Sequence, residues 1–301
     1  MDYSRREFIG AVSTAAALSS ACSATDGQPG VDHDPLGVRQ DFPVVNDKVY
    51  LNSPYITPSP RQVIETAKTF LDAKAHNPVS LGDMLEETNK VRRKYARLIG
   101  ATEPEIGILF ATSEGENVVS AALDLQAGDN VVIDDLHYET TFVLYQHLEK
   151  TRGIDLRIVR NRQGAAPTEA FEELVDERTR LISVAWISHQ NGYFHDLAAL
   201  ARLAHAHDAY LYADAIQGVG MLSLDVKEIG IDFLTAGTYK WLLGGYGVAP
   251  FYVREDLLGM IRLDRFGSPI LPRPSATFAT SCTPTVESTA MPPWALVLPI
   301  S

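Results

Sequence analysis

An α/β fold, with a mostly parallel sheet covered by helices on both faces, is predicted by three features of this 301-residue sequence. Short apolar or β-branched runs recur along the chain, amphipathic helical stretches lie between several of them, and the alternation continues over about 150 residues. With 46% hydrophobic and 21% charged residues, the chain has enough apolar material for a large core.

The first 25 residues stand apart. "SRREFIG" places Arg5-Arg6 before Phe8, and "AVSTAAALSSA" follows as a short, weakly apolar stretch ending in small residues, the pattern of a Tat-type signal peptide. Export to the periplasm or cell surface is therefore expected. "SSAC" makes Cys22 a candidate lipid anchor, although Ser19 stands where such sites usually carry Leu; cleavage near Ala21 or Ala24 is the alternative. Residues 26–45, including "DGQPGVDHDPLG", read as a polar, turn-rich linker.

The large domain is expected over residues 46–266. "RQVIETAKTFLDAKAH" and "LGDMLEETNKVRRKYARLIG" read as amphipathic helices, the second stopped at Gly100. The strand candidates are "IGILFA", "NVVID", "LRIVR", "LISVAWIS", "YLYAD", "DFLTAG" and "GVAPFYV", with "TTFVLYQHLEK", "TEAFEELVDE" and "DLAALARLAHAHD" as intervening helices. Residues 267–301 are rich in Pro, Ser and Thr and read as an irregular tail.

Composition narrows the function. The net charge is -12, and no basic stretch interleaved with aromatics occurs, which argues against nucleic acid and for small-molecule chemistry. Two cysteines, Cys22 and Cys282, exclude a disulfide framework or a multi-cysteine metal cluster. After the N-terminal segment no stretch approaches about 18 uninterrupted apolar residues, so no membrane span is expected. His195, His205 and His207 raise a metal site, but the last two lie two apart on a predicted helix and do not share a face; no metal is expected.

In a parallel sheet, ligands sit at the carboxyl ends of the strands. Three of those ends carry chemistry: "LYAD" ends in Asp214 with Gln217 one turn on, "FLTAGTYK" ends in Lys240, and "ILFATSEGEN" runs through Thr112-Ser113 into a helix. A partly desolvated lysine can meet a carbonyl as the neutral amine and form a Schiff base. A buried carboxylate can keep a pyridine nitrogen protonated, and hydroxyls at a helix N-terminus suit a phosphate. Together they describe a pyridoxal phosphate pocket.

"YADAIQGVG", followed 26 residues after Asp214 by Lys240 in "TAGTYKWLLGGYG", resembles the class V aminotransferase superfamily, which includes cysteine desulfurases, kynureninase and isopenicillin N epimerase. The resemblance runs from about "VYLNSPYITPSP" to "GVAPFYV". It implies the type I pyridoxal phosphate transferase fold with a seven-stranded sheet, an amino acid substrate and a homodimer. Carried over by position, Lys240 is the Schiff-base lysine, Asp214 the partner of the pyridine nitrogen, and Gln217 a contact of the phenolic oxygen. Thr112, Ser113 and the amide of Glu114 match the phosphate-binding turn, and Tyr239 also touches phosphate. The ring-stacking position falls on Tyr138 or, with a one-residue shift, His137. "SHQNG" adds His189 and Asn191 as further cofactor contacts.

Gly237-Thr238-Tyr239 before the lysine departs from the Ser-Gly-His of desulfurases and lies closer to the kynureninase and epimerase branches. Family members continue into a small C-terminal domain with an arginine that grips the substrate carboxylate. Here that domain is expected to be absent or reduced to the tail, and neither Arg262 nor Arg265 matches the motif. Cys282, in "ATSCTPT", shows no desulfurase nucleophile motif and reads as an incidental thiol. The resemblance thus implies a pyridoxal phosphate-dependent enzyme whose reaction, transamination, epimerisation or elimination, stays open. The alternatives are a truncated, non-catalytic relative that still folds and binds the cofactor, and an exported binding protein for another phosphorylated ligand.

Overall fold

The computed structural model describes residues 34–77 and 79–261. The N-terminal stretch expected to be a signal, Cys22, Arg262, Arg265, Cys282 and residues 267–301 lie outside them, as does the first part of the expected linker. The described residues fall into two units, divided between Gln40 and Asp41. In the first, the Asp34 carboxylate accepts the N–H groups of Val38 and Arg39, both at 3.0 Å, and closes a turn through Gly37. The sheet, its helices and the pocket belong to the second.

All seven predicted strand regions form strands: β1 (Ile106–Leu109), β2 (Asn130–Asp134), β3 (Asp155–Val159), β4 (Thr179–Ala185), β5 (Tyr210–Asp214), β6 (Phe233–Thr235) and β7 (Ala249–Val253). They make one sheet in the order β1-β7-β6-β5-β4-β2-β3. Every pairing is parallel except those of β7, which runs antiparallel to both neighbours. Since β7 reverses between them, β1 and β6 point the same way. The carboxyl ends of β1, β2, β4, β5 and β6 therefore share one edge.

The period-2 alternation of a strand divides its side chains between two cores. Val132, Ile182, Val184, Leu211 and Ala213 face one cluster, while Val131, Ile133, Leu181, Tyr212 and Phe233 face the other. Because both faces are covered, β2 is buried at all five positions.

The long helices match their predicted stretches: α1 (Arg61–His76), α2 (Leu81–Leu98), α3 (Thr112–Ala122), α4 (Glu139–Arg152) and, after the short α5 (Thr168–Glu172), α6 (Leu197–Ala206). Ser80 caps α2 by accepting the Asp83 N–H, and Asp196 caps α6 by accepting that of Ala199. The helix expected over "TEAFEELVDE" stops at Glu172. Asp176 pulls the chain into a turn instead, its N–H donating to Thr179 Oγ1 and its carboxylate accepting from Arg178 N–H and Asn130 Nδ2. No helix among the described residues is long and apolar enough to cross a membrane.

Candidate active site

Three segments leave the shared edge and converge. The first runs from β1 through Phe110-Ala111 into α3. Ala111 occupies the N-cap in extended conformation and has no side-chain oxygen to close the first turn, so the leading amides of α3 point at the pocket without a cap. Thr112 Oγ1 accepts the Gly237 N–H at 3.0 Å, tying this turn to the segment that carries the lysine. Ser113 Oγ lies 3.1 Å from Thr140 Oγ1. The Glu114 amide bonds back to the Ala111 carbonyl, and its carboxylate accepts the Phe110 N–H at 2.7 Å. Gly115 allows α3 to seat this close: a Cβ there would stand 2.0 Å from Thr235 Oγ1 on β6.

The second segment follows β5. Asp214 is buried, and its Oδ1 accepts the Ile216 N–H at 3.1 Å. Burial pushes its carboxyl up to about 6, against the pull of that N–H and of the Lys240 and His189 charges. Gln217 is spoken for at both ends, donating from Nε2 to the Pro54 carbonyl at 2.9 Å and accepting the Trp241 indole N–H at 3.0 Å. It fastens the 52–56 loop over the pocket.

The third segment follows β6. Lys240 is buried, and its ammonium pKa falls below the ordinary value because burial outweighs the nearby Asp214 charge. Beyond it the chain loops back on itself, Thr238 Oγ1 donating to the Gly245 and Val248 carbonyls and Tyr239 stacking on Tyr246 at 4.4 Å.

These segments, with Tyr138 after β2 and His189 after β4, enclose a recess of about 170 Å³ lined also by Thr112, Ser113, Asp214, Gln217, Tyr239 and Lys240. An outer cavity of about 500 Å³ adjoins it, sharing Tyr138, His189, Gln217, Tyr239 and Lys240. His189 meets the Tyr138 ring edge-on at 5.2 Å and reaches Glu139 Oε1 at 3.3 Å. His137 lies beneath, fully buried, with burial pushing its imidazole down to about 4. Asn191 lines neither space: its amide donates to the Gly164 carbonyl. Of the metal candidates, His195 packs beside Asp134 at 3.4 Å and His205 against Asp232 at 2.9 Å.

The outer cavity adds residues that the sequence reading did not single out: Asn52, Pro54, Tyr55, Ile56, Glu139 and Tyr246. All come from loops or helix starts, where periodicity carries no signal.

The model of the family described as aminotransferase class-V matches residues 49–286. This chain belongs to that family. It is 34% identical over 230 residues to a probable cysteine desulfurase of Methanothermobacter thermautotrophicus, covering 74% of this chain and 57% of the relative. It is 31% identical over 237 residues to a cysteine desulfurase of Escherichia coli, covering 73% and 58%. Among solved structures, the apo cysteine desulfurase of Thermococcus onnurineus superposes with a TM-score of 0.70 at 25% identity, over 79% of this chain and 61% of that one. A variant of C-DES with glycine covalently linked to its PLP cofactor superposes with a TM-score of 0.75 at 20% identity, over 86% and 69%, a likeness of fold. This class V family member spans 57–62% of the length of the first curated relatives it matches.

Proposed function

We propose that this class V family member is a pyridoxal phosphate-dependent enzyme acting on an amino acid through Lys240. The observation that carries this reading is the meeting of Lys240, Asp214 and the uncapped first turn of α3 in one recess. The residues fit the cofactor. The leading amides of α3 with Thr112 and Ser113 would hold its phosphate, Asp214 its ring nitrogen, and Lys240 its carbonyl carbon; Tyr138 and His189 offer aromatic surface to the ring.

Pyridoxal phosphate, when bound, supplies an electron sink for the pair left on the substrate α-carbon. The chain's own groups do the rest. Asp214, buried beside Lys240, keeps the ring nitrogen protonated because a carboxylate there gains most from a cationic partner. Lys240 Nζ, its basicity lowered by burial, takes the substrate α-proton and returns it. The Gln217 bridge to Pro54 holds the loop over the recess and limits entry of water. Transamination, epimerisation and elimination share this removal of the α-proton, and an amino acid screen separates them.

Two further parts of this reading concern the whole chain. The Arg5-Arg6 signal supports export through the twin-arginine route. Exposed Phe70 and Leu71 on α1, a helix with no buried residue, support a homodimer that covers that face.

The test incubates the purified protein with pyridoxal phosphate, follows the visible absorption, and then reduces with borohydride beside Lys240→Ala. The expected result is a band whose cofactor becomes fixed to the Lys240 peptide on reduction and is lost in the variant, followed by turnover in an amino acid screen. Activity of Lys240→Ala should fall by about 10³-fold or more. A folded wild type that fixes no cofactor would sink the reading; fixation without turnover on any amino acid would favour the non-catalytic alternative.

A further inference from the structure

Directly behind the recess lies a buried carboxylate that the proposed chemistry does not use. Glu116, one turn into α3 from Thr112, is 4% exposed. Its Oε1 accepts the Ser183 hydroxyl of β4 at 2.5 Å, and its Oε2 accepts the Thr141 hydroxyl of α4 at 2.6 Å. Ser183 Oγ in turn sits 3.2 Å from His137 Nε2, while His137 Nδ1 accepts the Tyr138 N–H at 2.7 Å.

Above about pH 7, where Glu116 is ionised, the direction of every proton in this chain follows from its two ends. The Tyr138 amide can only donate, so Nδ1 is an acceptor and the imidazole proton is on Nε2. That proton goes to Ser183 Oγ, whose own hydroxyl proton goes to Glu116. A neutral His137 agrees with this order, burial having pushed the ring down to about 4. Glu116 is the terminal acceptor, and with the Tyr138 amide at the other end it fixes the sense of the rest.

Each anchor of this network also carries a wall of the pocket. Glu116 is on α3 below the uncapped turn, and Thr141 on α4 follows Thr140, which contacts Ser113, and Glu139, which contacts His189. Ser183 lies on β4, which leads to His189, and His137 holds the Tyr138 amide directly. We propose that Glu116 is a positioning residue for the cofactor site: through Ser183 and Thr141 it locks His137 as the Nε2–H tautomer and so sets Tyr138 against the α3 turn. The benefit to cofactor binding rests on the function proposed above; the lock on His137 does not.

Removing the terminal acceptor frees the Ser183 hydroxyl to turn and donate to His137 Nε2. The ring proton would then move to Nδ1, where it opposes the Tyr138 N–H and drives that residue off its place. Glutamine can keep the order, its side-chain oxygen accepting from Ser183 and its amide donating to Thr141 Oγ1. Methionine cannot.

The experiment, run at about pH 8 so that Glu116 is ionised, uses the full chain labelled with 15N-histidine as wild type, Glu116→Gln, Glu116→Met and Leu200→Ala, a core truncation on the opposite face of the sheet. The ring-nitrogen signals of His137 are identified by their loss in His137→Gln, and pyridoxal phosphate affinity is read by tryptophan fluorescence. A single Nε2–H tautomer is expected in all but Glu116→Met, which should show both tautomers and a Kd raised about tenfold, with Glu116→Gln within about twofold of wild type. A single Nε2–H tautomer in Glu116→Met, or a Kd raised as much in Leu200→Ala, overturns the proposal. Should Glu116→Met fail to fold, Ser183→Ala cuts the same chain and is judged by the same criteria. Failure of the wild type to bind pyridoxal phosphate would sink the functional reading, and the tautomer criterion would still decide the lock.

Discussion

Two buried aspartates on neighbouring parallel strands have opposite fates. Asp232 leads into β6 at the amino edge of the sheet and is fully buried. It accepts from the Leu211 N–H at 2.7 Å, from His205 Nε2 at 2.9 Å and from Arg254 at 2.5 Å. Asp214 ends β5 at the carboxyl edge and accepts a single backbone N–H, with Lys240 beside it in the recess. Burial raises both carboxyls above the ordinary value against three opposing groups each, but all three are hydrogen-bonded to Asp232, and only the Ile216 N–H is hydrogen-bonded to Asp214. The difference separates structure from function: a saturated carboxylate holds an edge together, and an under-committed one keeps capacity for a ligand.

Neutralising each residue should divide the two roles. Asp214→Asn is expected to lower turnover by about 10²-fold and weaken cofactor retention, because the amide cannot keep the ring nitrogen protonated; the folded state should lose little, since one backbone bond survives. Steady-state kinetics with absorbance of the retained cofactor measures the first, and urea unfolding of the cofactor-free protein the second. If Asp214→Asn instead unfolds the chain and leaves the kinetics of the remaining folded fraction intact, the comparison is broken.

Asp232→Asn should do the reverse, costing about 2–3 kcal/mol by leaving Arg254 and His205 short of their shared carboxylate. Its pyridoxal phosphate affinity should match the wild type. A loss of affinity without a loss of stability would show that the amino edge reaches the pocket by some route other than packing.

Why Asp214 was legible in the sequence and Glu116 was not follows from the range of the signal. An apolar run ending in a carboxylate, or in a lysine, marks a strand end by itself, and "ATSE" after a strand marks a helix start. The seven strands were legible for the same local reason. The partners of Glu116 come from β4 and α4, and within "TSEGENVVSAA" it resembles any solvated helix residue. Likewise His137 and Tyr138 are alternatives for one position in the sequence, because adjacent residues are separated only by which one the fold turns inward: His137 under the floor, Tyr138 to the recess.

The smallest effect is on the pH dependence of stability, and its sign is opposite to ordinary acid denaturation. A carboxyl whose folded pKa is raised contributes most below its unfolded value, and that contribution is lost as pH rises through the folded value. Asp214 goes from 3.8 to about 6 on folding and Glu116 from 4.5 to about 7. Between roughly pH 4 and 7 the unfolded chain therefore releases protons that the folded chain retains. His137, whose imidazole falls from 6.5 to about 4 on folding, works the other way over most of that range and offsets part of the effect, and Asp176 and Asp256, held below the ordinary value, do so at its acid end. The cofactor-free protein should lose on the order of 1–2 kcal/mol over this span, and urea midpoints taken across it measure the loss. Asp214→Asn should flatten the lower part of the profile, between about pH 4 and 6, because it removes the group that titrates there. A profile that rises steadily with pH in the wild type and is unchanged in Asp214→Asn would mean that Asp214 is as well satisfied as Asp232, and the contrast between the two edges would fall.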